Sequence, residues 1–302
     1  MRHLANSMVF IVFLTCLIFS FNLEGSESYS NNAVRIMSFN IRYNNAGDGK
    51  NAWPYRKHMV AQTIIFHKAE IIGIQEALYS QIQDLQILLP DFYWKGVGRD
   101  DGRKKGEFAP VFYKKDRYQV IKNGNFWLSE QPDEAGSIGW DAACPRIVTW
   151  IEFKDKNSGL IFYFFNTHFD HVGSEARKNS AELLRKRINE IDSKTSLILT
   201  GDFNCTCQEA SYKVLTTESD SKGVLQNSMD ISLNGHYGGT QTFNGFTDVQ
   251  RPGYIIDFIF VKSVDQILHH GIIAEKWDGG YASDHYPVYT EIMLKNKKSV
   301  IQ

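Results

Sequence analysis

The chain is short of cysteine. There are four in 302 residues, and Cys16 lies within an apolar leader, which leaves Cys144, Cys205 and Cys207 behind it. An odd number of thiols, two of them too close for an easy mutual bridge, says little about redox compartment. The lone Cys-x-Cys has no second pair with which to complete a zinc cluster. Cys16, preceded by Leu14 and Thr15 and followed by apolar residues, is a poor lipid-attachment site. Proline is sparse too, at seven, and no Pro- or Gly/Ser-rich stretch marks a linker. Repeats and low-complexity tracts are missing, which excludes solenoids and long disordered tails.

Neither sign of charge predominates. Thirty-three Lys and Arg face 34 Asp and Glu, for a formal net charge of -1. Proteins that live on duplex nucleic acid carry basic faces, because neutralising phosphates releases counterions. The balance therefore weighs against a general nuclease, though a local basic patch is compatible with it. One small cluster, Arg99, Arg103, Lys104 and Lys105, is offset by Asp100, Asp101 and Glu107 and reads as a solvated turn. No nucleophile elbow is present, and Gly96-Val97-Gly98 lacks the rest of a nucleotide-binding glycine loop.

Long hydrophobic runs are limited to one, residues 8–21, behind Arg2 and His3 and ahead of the polar stretch 24–32. With Ser20, Gly25, Ser26 and Ser28 following, this reads as a secretory signal peptide over about residues 1–28. The run is shorter than the ~20 residues of a membrane-spanning helix; an uncleaved or lipid-assisted anchor is the alternative. The expected mature domain is 29–302, exported to the periplasm or medium, monomeric and without a transmembrane segment.

What is abundant is apolar material, at 43% of residues, enough for one large core. Apolar runs of strand length recur at 34–41, 71–75, 109–113, 147–153, 160–166, 196–200 and 254–261. Their near-continuous hydrophobicity suits strands buried on both faces. Helices are expected at 55–67, after Pro54, at 80–89, ending at Pro90, and at 174–191. The last aligns Ala181, Leu184, Ile188 and Ile191 on one face. The implied class is α/β (α+β), layered sheets with helices outside and active residues at strand ends.

Polar residues close the strands. Asn40 ends Ser38-Phe39-Asn40-Ile41-Arg42, and Glu76 follows Ile74-Gln75. His168 follows Asn166-Thr167, Asp202 and Asn204 sit in Gly201-Asp202-Phe203-Asn204, and Asp284-His285 follows Ser283. Taken singly, each is an ordinary turn or capping residue. Asp257 differs: within Ile255-Ile256-Asp257-Phe258-Ile259-Phe260 a carboxylate is costly to bury unless a cation, metal or histidine meets it.

Six segments taken in order resemble the endonuclease/exonuclease/phosphatase superfamily. They are Ser-Phe-Asn-Ile-Arg, Ile-Gln-Glu, Asn-Thr-His, Gly-Asp-Phe-Asn, Ile-Asp-Phe-Ile-Phe and Ser-Asp-His-Tyr-Pro-Val, between residues 34 and 293. Trp53-Pro54-Tyr55-Arg56 is similar to the secreted bacterial branch, itself similar to deadenylase- and nocturnin-like hydrolases. The resemblance implies a four-layer, DNase I-like sandwich of two mixed sheets flanked by helices. It implies Mg2+ or Mn2+ on Glu76, with Asn40 beside it and Asp284 in support. It also implies a catalytic set of His285, Asp257, Asp202, Asn204, His168 and Asn40. Arg146, Arg42 and Arg177 are candidates for binding substrate phosphate; surface salt bridges are their ordinary role. Cys207 lies near a disulfide cysteine of secreted relatives, but no matching cysteine precedes Asp257. Asn204-Cys205-Thr206 reads as a glycosylation sequon whose glycan would block the site. The loop 227–248, with Phe243, is expected to overhang it, its aromatics packing the loop or meeting substrate.

The expected function is in-line hydrolysis of phosphate esters, mono- or diester, by an activated water. The expected substrates are small phosphorylated compounds, sugar phosphates, lipid headgroups or short oligonucleotides. Alternatives are a secreted nuclease acting on DNA or RNA, and an inactive relative that binds phosphorylated ligands.

Overall fold

The first strand, β1 (Ala33–Asn40), is buried along nearly its whole length, and its side chains alternate between two apolar layers. Val34 and Ile36 enter one, Met37 and Phe39 the other, as the two-residue repeat of a strand requires. A strand of this kind needs cover on both faces of its sheet. The computed structural model describes residues 33–217, 224–278 and 280–295, all within the unit Asn32–Gln302. The expected signal peptide lies outside the described residues. Among those described, no helix is long and apolar enough to cross a membrane.

After β1 come α1 (Trp53–Phe66), β2 (Ile71–Gln75), α2 (Tyr79–Leu88), β3 (Phe92–Lys95), β4 (Val111–Lys114) and β5 (Tyr118–Trp127). Then follow β6 (Ile147–Asp155), β7 (Ile161–His168), α3 (Ser174–Asn189), β8 (Ser196–Asp202) and α4 (Ala210–Thr216). The remaining strands are β9 (Gln226–Asn227), β10 (His236–Tyr237), β11 (Asp257–Lys262), β12 (Val264–Ile272) and β13 (Val288–Leu294). One sheet runs β10-β12-β13-β1-β2-β4-β3, the other β5-β6-β7-β8-β11-β9. Both are mixed: β1 is parallel to β2 and antiparallel to β13, while β8 is parallel to β7 and antiparallel to β11.

The sheets meet through Val34, Ile36, Ile71 and Val111 on one side and Phe153, Phe162, Phe164, Ile198 and Ile259 on the other. Helices α1 and α2 cover the first sheet with Val60, Ile64, Ile82 and Leu85. Helices α3 and α4 cover the second with Ala181, Leu184, Ile188 and Leu215. The result is the expected four-layer sandwich. Helix α3 stops at Asn189, two residues short of expectation. Its first turn is satisfied by Asp141, which accepts from the Ala176 N–H at 2.6 Å, and Lys186 and Arg187 suit the negative end of its dipole.

The inner seam changes character along its length. On β1, Val34 and Ile36 give way to Ser38 and Asn40; on β7, Phe162 and Phe164 give way to Asn166 and His168. Ile198 on β8 is followed by Thr200 and Asp202, Ile71 on β2 by Gly73 and Gln75, and antiparallel β11 leads with Asp257. Each step is two residues, so all these side chains share the inter-sheet face. Asn166 joins the sheets there, donating to the carbonyls of Ile74 (2.7 Å) and Pro110 (3.0 Å) and accepting from Gln75 Nε2 (2.7 Å) and Thr200 Oγ1 (3.0 Å). Gly73 makes this approach possible, since a Cβ there would lie 2.0 Å from Thr200 Oγ1. This polar layer is the floor of the site.

Candidate active site

The ladder between β8 and β11 sets Asp202 directly opposite Asp257, and both are buried. Two facing carboxylates repel unless something lies between them. Burial, and then the charge of Asp257, push the Asp202 carboxyl up to about 7. His285 bridges the pair: its Nδ1 is 2.9 Å from Asp257 Oδ2 and its Nε2 3.8 Å from Asp202 Oδ2. Burial alone would depress this imidazole, but Asp257, Asp202 and Asp284 outweigh it and hold His285 well above the usual histidine range. A cation at this point lets both acids stay inside. Asp202 also accepts from Asn40 Nδ2 at 2.9 Å and from the Asn204 N–H at 2.9 Å.

Asn40 joins this centre to Glu76, donating to Glu76 Oε1 at 3.0 Å. Glu76 Oε2 accepts from the Tyr43 N–H at 3.1 Å. Arg42 forks onto Asp48 at 3.0 and 3.1 Å and stands 3.9 Å from Asp284. Glu76, Asn204 and Arg42 adopt left-handed backbone, with φ of 64°, 47° and 56°. Such conformations cost non-glycine residues energy and concentrate at functional sites.

His168 contrasts with His285. Burial, reinforced by Arg146 and Arg99, holds it well below the usual range and therefore neutral. Its Nε2 lies 3.0 Å from Asn204 Nδ2; because that amide also donates to the Phe169 carbonyl at 3.0 Å, Nε2 is assigned as the acceptor. Arg146 is 4% exposed. Its Nε reaches Asp170 at 3.4 Å and its Nη2 lies 2.8 Å from His171 Nδ1, while Nη1 is buried without a partner. Asp170 also accepts the N–H groups of Ala143, Val172 and Gly173.

These groups open onto a cavity of about 590 Å³. Arg42, Glu76, His168, Asp202, Asn204, Asp284 and His285 line it, as does Arg146. Arg177 does not: it donates to the Asp170 carbonyl and pairs with Glu209. Phe243 and Tyr254 form an aromatic wall, Phe243 meeting the His285 ring edge-on at 5.1 Å. Arg99 and Glu107, paired at 2.7 and 3.0 Å, line the cavity rather than forming part of a solvated turn. Asn244 pins the overhanging loop through Ser283 and Asp284 carbonyls at 3.1 and 2.7 Å. Sequence reasoning missed Asp170, Asn244 and the Arg99–Glu107 pair.

The donor set fits a hard divalent cation. Glu76 and Asp284 offer carboxylate oxygens, the ligand type of magnesium and manganese, while Asn40 presents its amide nitrogen to Glu76 and its oxygen to the Arg42 N–H, and so fixes Glu76 in place. Burial, with Glu76 adding to it, pushes the Asp284 carboxyl upward against the pull of His285 and the nearby arginines, and a cation would relieve that excess. Ligand atoms of Glu76, His168 and Asp202 also lie within 4.8 Å of one another. Cys144, Asp170 and His171 form a similar group, but Asp170 is already occupied by Arg146 and three backbone donors.

The family model described as Endonuclease/Exonuclease/phosphatase family matches residues 37–285. A Bacteroides vulgatus endonuclease/exonuclease/phosphatase structure is 42% identical, covers 87% of this chain and 99% of its own, and superposes with a TM-score of 0.83. A mannosyl-6-phosphatase of Bacteroides thetaiotaomicron is 36% identical, with 86% and 99% covered and a TM-score of 0.81. A protein of Acanthamoeba polyphaga mimivirus is 24% identical over 83% of this chain, which spans only 42% of that relative's length. The human nocturnin catalytic domain, at 18% identity with 87% and 94% covered and a TM-score of 0.68, shares the fold.

Proposed function

Because the chain belongs to the endonuclease/exonuclease/phosphatase family, whose members hydrolyse phosphate esters, we propose that it is an exported, divalent-metal-dependent phosphomonoesterase acting on sugar phosphates. The observation that carries this reading is the Asp202–His285–Asp257 arrangement, two buried acids with a cationic histidine between them. Asp202, raised to about 7, is matched to accepting a proton from attacking water near neutral pH. Asn204, its amide nitrogen held by neutral His168 and the Phe169 carbonyl, would orient that water. His285, held protonated by Asp257, offers positive charge where negative charge grows on the phosphate oxygens. The unpartnered Nη1 of Arg146 would take a further phosphate oxygen, with Arg42 nearby. Glu76 and Asp284 would hold the metal, with Asn40 fixing Glu76; when bound it supplies Lewis-acid polarisation.

Three facts support a small monoester over a polynucleotide. The net charge is near zero, the cavity is of small-molecule size, and a relative 36% identical is named a mannosyl-6-phosphatase. The test is phosphate release from mannose 6-phosphate, other phosphomonoesters and phosphodiesters, with magnesium or manganese and then excess chelator, beside DNA and RNA digestion. Chelator-sensitive release from sugar phosphates is expected. Cleavage of polynucleotide alone would transfer the assignment to a nuclease, and uptake of sugar phosphate without turnover would make it a binding protein.

A further inference from the structure

Arg56, in the first turns of α1, is 1% exposed, yet its guanidinium pairs with no carboxylate among the described residues. Its N–H groups go to main-chain carbonyls instead. Nε donates to Asn51 O at 2.7 Å, Nη2 to Arg42 O at 2.9 Å, and Nη1 to Ala282 O at 3.0 Å and also to Ile41 O. The guanidinium carbon also lies over the Trp53 and Phe246 rings, 5.4 Å from each centroid. A buried cation with four neutral acceptors is an expensive arrangement to keep for packing alone, because an apolar side chain would fill the space without the desolvation cost.

The acceptors explain it. Ile41 and Arg42 directly follow Asn40. Ala282 lies two residues before Asp284, and Asn51 ends the short turn that carries Asp48, the partner of Arg42. Phe246 belongs to the loop that Asn244 ties to Asp284. Ser283 Oγ, donating to Asn40 O at 2.7 Å, also joins the first two segments. The guanidinium fork is rigid and planar, and no other side chain presents donors in so many fixed directions.

We propose that Arg56 is the positioning residue of the metal side: it sets the separation of the Asn40–Arg42 and Ala282–Asp284 segments, and through them the placement of Asn40 and Asp284. This rests on reading Glu76 and Asp284, with Asn40 fixing Glu76, as the metal-holding group. Arg56→Lys keeps the charge and loses the fork. Val60→Ala, a cavity in the same helix away from these loops, serves as the control for lost stability. For both variants the metal-free melting temperature, Mn2+ affinity by titration calorimetry, and kcat and KM on mannose 6-phosphate would be measured.

Arg56→Lys is expected to melt near the Val60→Ala variant, yet to bind Mn2+ and turn over roughly 10- to 100-fold more weakly, the usual effect of disturbing groups behind metal ligands. KM should hold within about threefold, since Arg56 contacts neither Phe243 nor Tyr254 of the aromatic wall. Equal Mn2+ affinity and kcat in the two variants would overturn the proposal. Should Arg56→Lys not fold, Arg56→Gln is read by the same criteria. If the wild type releases no phosphate, the titration alone decides. Weaker Mn2+ binding in the variant then upholds Arg56 while the proposed reaction falls, and unchanged binding, or no binding by the wild type, overturns the Arg56 assignment.

Discussion

Asp202 and Asp257 show how function and stability oppose each other at a single pair of residues. Replacing one of two facing buried carboxylates by its isosteric amide removes repulsion and desolvation cost together. Asp202→Asn is therefore expected to melt at the wild-type temperature or above while kcat falls by about 10²- to 10⁴-fold, the range for losing a general base. Thermal melting and steady-state kinetics on one preparation check both halves; a variant that loses stability and keeps turnover contradicts the assignment. Arg146→Ala is expected to lower kcat/KM by at least about tenfold, as for a charge-assisted phosphate contact, and unchanged kcat/KM would return Arg146 to a structural role. Asp257 was legible from sequence because an acid amid apolar neighbours demands a partner. Asp170 was not, since beside Phe169 and His171 it looks like any turn residue, and only the fold brings Arg146 to it. Arg99 and Glu107 were hidden likewise: their opposite charges suggested a self-neutralised turn, and nothing local shows that they wall a cavity.

Among the elements, the apolar runs read in the sequence fall on β1, β2, β4, β6, β7, β8 and β11, and four of these, β1, β2, β7 and β8, lead into the site. Their ends also bear Asn40, Glu76, His168 and Asp202, so much of the site came with them. Strands β5 and β12 escaped because solvent reaches one side and their patterns are broken, β5 by exposed Lys122 and Asn123 and β12 by two register shifts. Strand β4 begins at Val111, after Pro110, which has no N–H to pair. Gly73 tests how tightly the two sheets are set. Gly73→Ala is expected to cost about 1–3 kcal/mol by overpacking against Thr200 and Asn166, and to lower kcat because β2 ends next to Glu76. Chemical unfolding measures the first effect, and a neutral substitution would mean the seam is looser than described. On β12, burial and then His236 depress His270 to about 3. Its folded value lies below the unfolded one, so its contribution is present above about pH 6.5 and is lost as pH falls toward 3. Between pH 6.5 and 5 that amounts to about 2 kcal/mol. His270→Gln should flatten the fall of melting temperature with acidification; parallel profiles would show that His270 titrates normally.

For the molecule as a whole, one polar end on an otherwise apolar seam accounts for the position of the site. Near-neutral net charge sets what can be drawn to it, because no long-range field favours polyanions. Association with a sugar phosphate should accordingly depend only weakly on salt. The order of six short segments was legible, and it fixed the fold class and the chemistry of the seam. The cavity wall of Arg99, Glu107, Phe243 and Tyr254 was not, because loops distant in sequence build it. Phosphate release from mannose 6-phosphate with saturating magnesium, by the wild type and Asp202→Asn side by side, tests the central claim most directly. Rapid, chelator-sensitive release by the wild type and near silence from the variant is the expected result. Equal rates in the two proteins, or release that survives chelator, would contradict the account.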